Sequence, residues 1–490
     1  MKQFLLTTGL GLVFSAGAGC AAPATDEGVA RLTEVFQRYL GTTEGALAVK
    51  AEGETYSVTL DPVVYATLLP EEARAEVEVA ASPLVMTLGD QGDGTWTVTM
   101  DQPFSMKFDG KRQVMIDYAA SRMTMNGIFD EALMAFRQNE FTVEGVVVNE
   151  TLPMEPGGKT YTVSYTIEEQ SAKTAATAGA AGGVDGTGSF TQSGMRQVMS
   201  YPPMAEGMGP FEVEATVATA EGTFSSTGVR PDAFLSLIAF FVAHPSEDAI
   251  KGAQEDLRNN LSAGLPFFGA VSLDGSYKDI SVTTPMGAFT AASAGIEVDA
   301  NGAVPDGHVR EAVTLDGLAV PEGVLPPWAA ALVPVSVSFD MAADRFNARD
   351  PIRMLIEAFD LTKEQPIPEA LGPSLMQALL PDGTADLTFA PGAITGKEYS
   401  LSFEGGMKVG PGIMPTGKAL VRAEGLDKIE AALAAAPPEV SAQAAGALMF
   451  LKGMGKPAGE GAYSWDVDAS EPGKLLINGN DMSMMMGAGQ

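Results

Sequence analysis

Apolar and polar residues alternate along most of this chain, and the alternation gives way to helical spacing at a few defined places. Val29, Leu32, Phe36 and Tyr39/Leu40 form one helical stripe, which predicts a helix over Thr25–Leu40 ending at Gly41. From there to about Val148 the period is mostly two. Tyr56/Val58/Leu60, Val77/Val79, Leu84/Met86/Leu88, Trp96/Val98/Met100 and Phe104/Met106/Phe108 each place apolar side chains on one face of a strand. Asp90–Gly94 reads as a hairpin connection. Phe129, Leu133 and Phe136 predict a short helix over Phe129–Gln138, with strands resuming at Phe141–Val148 and Tyr161–Ile167. Ser171–Ser189 is rich in Ala, Gly and Thr and lacks periodicity. It reads as a loop or linker, with a lid over a groove as the functional alternative.

Beyond it, one order of elements recurs. Strands at Phe211–Val217 and Gly222–Thr227 precede an apolar helix, Pro231–Ala243, and an amphipathic one, Ser246–Leu261; strands follow at Gly269–Leu273, Ile280–Thr284 and Ile296–Val298. A second copy runs from the strand Val333–Phe339 through helices Pro351–Leu361 and Pro368–Leu380 to strands Ala385–Phe389 and Tyr399–Phe403. A third runs from Lys418–Glu424 through helices Leu426–Ala436 and Val440–Met454 to strands Tyr463–Val467 and Lys474–Asn478. A strand–helix–helix–strand unit has a one-sided apolar sheet and apolar helix stripes that must cover each other. The expected class is therefore α+β, predominantly β. Long, twisted, mainly antiparallel sheet should carry helix pairs on one face, and twist would curl it into an apolar groove. The expected organisation is an export signal at 1–20, a β-rich domain at 25–170, the linker at 171–189, and repeat units at 190–310, 311–416 and 417–490.

Composition narrows the partners. A formal charge of −32 repels nucleic acid phosphates and anionic lipid headgroups. Lys2, the apolar run Phe4–Ser15 and the small residues after it read as an export signal, which places the protein in the periplasm or cell envelope of a Gram-negative bacterium. Cys20, the one cysteine, lies where a lipoprotein signal would place its lipidated residue; cleavage nearby by ordinary signal peptidase is the alternative. A single cysteine allows no intrachain disulfide. No later apolar run is long enough to predict a transmembrane helix.

Catalytic signals are sparse, and the chain reads as non-enzymatic, without a cofactor or metal. The two histidines, His244 and His308, and the lone cysteine form no cluster with metal-ligand spacing. Nucleophile-elbow, phosphate-loop and dinucleotide fingerprints are absent. A glycosidase-type carboxylate pair is open to any chain with 62 Asp and Glu, so their abundance selects none. Asp232, Asp350 and Asp427 stand at the three helix starts. A carboxylate there caps orphan N–H groups and complements the helix dipole, a structural role. Methionines cluster at Met195, Met199, Met204 and Met208, and at Met482, Met484, Met485 and Met486. Three readings stand: core filling with a frayed tail, a pliable apolar surface for lipid or partner, and soft-metal binding.

The export signal, the β-rich body, the segment Ala419–Asp427 entering an Ala/Leu helix and the closing strand near Leu476 together resemble the bacterial domain-of-unknown-function family numbered 2125. The likeness covers most of the chain after the signal, best over Pro210–Met485, and implies no catalytic residues. The layout is also similar to AsmA-like and YdgA-like envelope proteins, which implies extended sheets associated with lipid. The leading expectation is a protein that holds lipid or another amphiphile in an apolar groove. A scaffold for another envelope protein is the alternative, and a carboxylate-based hydrolase comes third.

Overall fold

The computed structural model describes residues 23–68, 76–110, 114–155, 158–204, 207, 209–459 and 461–483. The segment expected to be an export signal, with Cys20, and Met208, Met484, Met485 and Met486, lie outside the described residues. The chain divides into two compact units, Met1–Val271 with Leu355–Pro368, and Ser272–Met354 with Glu369–Gln490.

The first unit opens with α1 (Asp26–Leu40). The Thr25 side chain accepts the Gly28 N–H at 3.0 Å, and Gly41 closes the helix at φ 82°. The strands that follow are β1 (Leu47–Glu52), β2 (Thr55–Leu60), β3 (Val77–Ala81), β4 (Leu84–Asp90), β5 (Thr95–Gly110), β6 (Val114–Asp130), β7 (Ala135–Pro153), β8 (Thr160–Ala178), β9 (Val184–Tyr201) and β10 (Phe211–Val229). All pair antiparallel, in the spatial order β1-β2-β4-β5-β6-β7-β8-β9-β10. One end of β5 pairs with β4 and the other, Met106–Gly110, with β3. Leu32 and Phe36 of α1 bury against Val58, Leu88, Trp96 and Phe129, so α1 covers one end of one sheet face. Helices α2 (Pro231–Ala243), α3 (Glu247–Gly252) and α4 (Gln254–Gly264) then lead to β11 (Ala270–Thr284), within which the two units meet in sequence.

The second unit is a shorter antiparallel meander. It contains β12 (Gly287–Asn301), β13 (Gly307–Asp316), α5 (Pro327–Ala330), β14 (Ser336–Phe346), the start of α6 (Arg349–Ala358, whose residues from Leu355 on belong to the first unit), α7 (Gly372–Leu379), β15 (Ala385–Thr395), β16 (Ser400–Val409) and β17 (Thr416–Glu424). It closes with α8 (Leu426–Ala434), α9 (Pro438–Met454), β18 (Lys456–Gly459), β19 (Ala462–Asp468), β20 (Leu476–Ile477) and β21 (Asn480–Asp481). The strands pair in chain order from β12 to β17, then β17 with β19. The register pairs Phe346 with Gly307 and Glu424 with Ser400. Since Ser336 opposes Thr395, the helices after β14 and those after β17 leave opposite ends of the meander. Leu426 and Leu448 of α8 and α9 pack on Ala423 and Trp465, and the Trp465 indole N–H donates to the Leu451 carbonyl at 3.0 Å.

The class is α+β, predominantly β, and the order strand, helices, strand does occur three times: after β10, after β14 and after β17. Four local expectations are corrected. Residues 171–189 are not a linker: they form the ends of β8 and β9, paired through Ala178↔Val184 and turned at Gly179–Gly183. Small residues hid the strands, because Ala, Thr and Gly give no apolar alternation. The division of the chain falls instead within β11. The helix expected over Phe129–Gln138 is a hairpin. Phe129 and Phe136 oppose each other across β6 and β7, edge to face at 5.5 Å, which imitates helical spacing in sequence. The Asp130 carboxylate holds this turn by accepting the Ala132 and Leu133 N–H groups at 2.8 and 3.1 Å. Finally, the two strands expected over Phe211–Thr227 are one strand, β10, and the partner helix expected over Ser246–Leu261 is two, α3 and α4.

Candidate functional site

The long strands set up one feature that the rest of the first unit does not use: an apolar stretch of the sheet face whose other end α1 covers. Strand alternation and register place on it Val77, Val79 and Ala81 of β3; Phe104, Met106 and Phe108 of β5; Ile116, Tyr118 and Ala120 of β6. They add Val146, Val148, Glu150 and Leu152 of β7, and Tyr161, Val163, Tyr165 and Ile167 of β8. Met195, Gln197, Met199 and Tyr201 of β9 and Phe211, Val213, Ala215 and Val217 of β10 complete it. Six strands at ~4.8 Å spacing and about seven residues at ~3.3 Å each give a surface of roughly 24 by 20 Å. The other face is polar: Lys107, Asp117, Asn149, Thr162, Arg196, Glu212 and Glu214, with Arg196 and Glu214 paired at 2.6 Å.

The middle of this face is shielded from water. Ala120, Val143, Val146, Val148 and Ile167 are buried to 3–6% exposure, yet every side chain in their cluster comes from β6 to β9 and no helix contributes. A flat sheet leaves its face open to water; here neighbouring strands close over the middle of it. The curl has a local origin. Along β6 to β10 each strand carries two consecutive residues that turn away from the apolar face: Ser121–Arg122, Glu144–Gly145, Glu168–Glu169, Ser193–Gly194 and Ala218–Thr219. They lie side by side, Arg122↔Glu144↔Glu169↔Ser193↔Thr219. Gly145 and Gly194 take φ 59° and 61°, which only glycine adopts without strain. Each strand therefore changes phase at this line while its apolar side chains stay on one face. Burial there pushes the Tyr118 and Tyr165 hydroxyls above the usual tyrosine range, the mark of a poorly hydrated surface.

The outer end of the face is aromatic. Tyr161 stacks on Tyr201 at 5.4 Å and Tyr201 on Phe211 at 5.0 Å, nearly parallel in both cases. Beyond the phase change the same face on β8, β9 and β10 is mixed: Gln170, Ala172, Thr174, Gln192, Gly188, Ala220 and Gly222 surround Phe190 and Phe224. The second unit has a counterpart apolar face with Val309, Val313 and Phe339 exposed, closed at one end by α8 and α9. Its opposite face is charged, with Arg310 bonding Glu297, Asp299 and Asp340 at 2.9–3.1 Å.

The residues singled out in the sequence fall elsewhere. Asp232 lies in the first turn of α2 and accepts from Arg230, and the α2 N-cap makes no side-chain bond. At α6 the cap is Asn347, whose Oδ1 accepts the Asp350 N–H at 3.0 Å while Asp350 accepts from the Asn347 amide. Asp427 sits in the first turn of α8 behind Gly425, again without a side-chain cap bond. All three acids suit the helix dipole; none makes the N-cap bond. His244 closes α2 against the Phe240 carbonyl, and His308 meets Asp344 at 2.6 Å on the polar face of β13. Met195 and Met199 join the apolar face, whereas Met204 is exposed.

Among the described residues no group of His, Cys, Asp and Glu has the arrangement of a metal site. An open cleft of about 600 Å³ beside α3 is lined by Glu247 and Glu364 together with Lys251 and Lys363. Lys251 holds the Glu247 carboxyl below its usual range, the reverse of what a general acid needs. No family model matches the chain, and no curated protein or solved structure matches it either. Sequence reading missed Glu150, Tyr201 and Phe211 as partners. The only signal was that Tyr161, Tyr201 and Phe211 each end an alternating run, and register is what brings them together.

Proposed function

We propose that this is an exported, non-enzymatic cell-envelope protein that binds lipid or another amphiphile along the apolar face of β5 to β10. The observation that carries the reading is the buried cluster around Val146 and Val148, made without any covering helix. A curled strip of half-buried apolar side chains loses hydration free energy wherever it meets water, and an acyl chain recovers about 25 cal/mol for each Å² it covers. The strip's ~20 Å length also suits one extended acyl chain. Methionines at Met106, Met123, Met195 and Met199 let the face adapt to chains of different shape. The resemblance to AsmA-like envelope proteins points the same way.

The test is native mass spectrometry of protein purified from its own envelope, with organic extraction and a titration with a 16-carbon lysolipid. A stoichiometric amphiphile is expected, and Met195→Glu/Met199→Glu should release it while the melting transition survives. Protein that emerges empty and takes up no lysolipid would end the reading.

A second reading has its own support. Phe234, Ile238 and Phe241 form an exposed i, i+4, i+7 stripe on α2, and Met449, Phe450 and Leu451 are exposed on α9. Such helix faces suit a scaffold that docks another envelope protein. Co-purification of a stoichiometric protein lost on Phe241→Ser would favour it.

A further inference from the structure

We infer that the apolar face selects a phospholipid with an amine headgroup, held at its outer end by Glu150 and the stacked rings of Tyr161, Tyr201 and Phe211. This rests on the amphiphile-binding reading and adds what the headgroup must be. Among the described residues on the outer half of the face, across β3 and β5 to β10, Glu150 is the one charged side chain. It lies between Ile116 and Val163, next along β7 to the buried Val148, and no ion pair holds it among the described residues. A carboxylate set into an apolar strip costs desolvation unless a cation or donor meets it.

Its surroundings fit an ammonium. Tyr161, opposite Leu152, is on the neighbouring strand one pleat further out, within side-chain reach of Glu150. Tyr161, Tyr201 and Phe211 stack in one row, and aromatic faces attract ammonium groups. Lys159, just before β8, bonds to the Pro203 carbonyl at 2.6 Å, so a cation stands near the same end for a phosphate. A carboxylate, a row of rings and a lysine are complementary to a zwitterion of ammonium and phosphate. An anionic headgroup would have its phosphate near Lys159 but would leave Glu150 unmatched. The acyl chain would run from there over Val148 and Val146.

Three 16-carbon probes separate the terms: lysophosphatidylethanolamine, lysophosphatidylglycerol and monoacylglycerol, titrated below their aggregation points into the whole protein. The ethanolamine probe should bind about ten times more tightly than the glycerol one, the size of one well-placed charge contact. Glu150→Gln should reduce that preference to about twofold and leave monoacylglycerol affinity unchanged, and Tyr201→Leu should weaken the ethanolamine probe alone. If all three probes bind alike, or the preference survives Glu150→Gln, the headgroup inference fails and the lipid reading stands. A preference abolished by 0.5 M salt yet unchanged in Glu150→Gln belongs to the net charge and equally overturns it. If no probe binds, both fall. A lysine-rich peptide that binds with the same Glu150 dependence while the lysolipids do not would place a protein segment there instead.

Discussion

Glu131 shows how one side chain can couple the first helix to the sheet and make that coupling depend on pH. Its carboxylate is buried in the turn after β6, where it accepts the Trp96 indole N–H at 2.7 Å and meets Arg31 of α1 at 3.4 Å. The Arg31 guanidinium also lies over the Trp96 ring, 5.5 Å from its centre. Burial raises the Glu131 pKa above the usual glutamate range, and the Trp96 hydrogen bond and the Arg31 charge offset this only in part. An acid with a raised folded pKa binds its proton more tightly folded than unfolded. Its contribution to stability is therefore complete below the ordinary glutamate pKa and is lost as pH rises through the folded value. Glu131→Gln keeps an acceptor for Trp96 and removes the titration. The stability of the variant relative to the parent should rise as pH is taken from about 4 towards neutrality, the span set by the ordinary value and the upward shift. Urea unfolding of both proteins at several pH values measures the difference, and a difference independent of pH would refute the assignment.

At the scale of elements, the line of phase changes across β6 to β10 bends the sheet, and Gly145 is one of its constrained points. A side chain there would meet the Ser121 Oγ at 2.5 Å, on a backbone already at φ 59°. Gly145→Val should lower stability by about 1–3 kcal/mol, seen as a lower urea midpoint. Because the bend closes the strip, lysolipid affinity should fall with it, and an unchanged midpoint would show that the bend does not need glycine. The same line explains what the sequence could and could not reveal. Alternation was legible where one phase persists, as in Phe104/Met106/Phe108 and Tyr161–Ile167. β10 read as two strands because Ala218–Thr219 shifts the phase within it. The β8–β9 hairpin was invisible because its far half is built of Ala, Thr and Gly. The helices α1, α2, α8 and α9 were legible almost to the residue, since a stripe of large apolar side chains carries its own period. The candidate face was legible only in parts. Single strands display their apolar residues, but strand order and register decide that seven of them share one surface. Glu150 could not be picked from 62 acidic residues until its neighbours were known.

At the scale of the whole molecule, charge sets how the proposed face would meet an amphiphile. With 30 basic against 62 acidic side chains, about half of the acids can have no cation to themselves. Solvent-exposed pairs such as Lys251–Glu247 are screened by water and contribute little, so self-repulsion outweighs them at low ionic strength. Raising NaCl from 10 mM to 150 mM shortens the screening length from ~30 Å to ~8 Å, and the melting temperature should rise by a few degrees. A fall would mean that ion pairs such as those of Arg310 outweigh the repulsion. The same field acts on the approach to lipid. Anionic vesicles should load the protein more slowly than zwitterionic ones, and salt should erase the gap, because the barrier is long-range and screened. Affinity for an uncharged amphiphile should stay constant over that range, because burial of apolar surface carries it. Stopped-flow uptake of a fluorescent 16-carbon lipid at the two salt concentrations separates rate from affinity. If the uncharged probe weakens as salt rises, electrostatic attraction holds it, and the apolar strip is not its site.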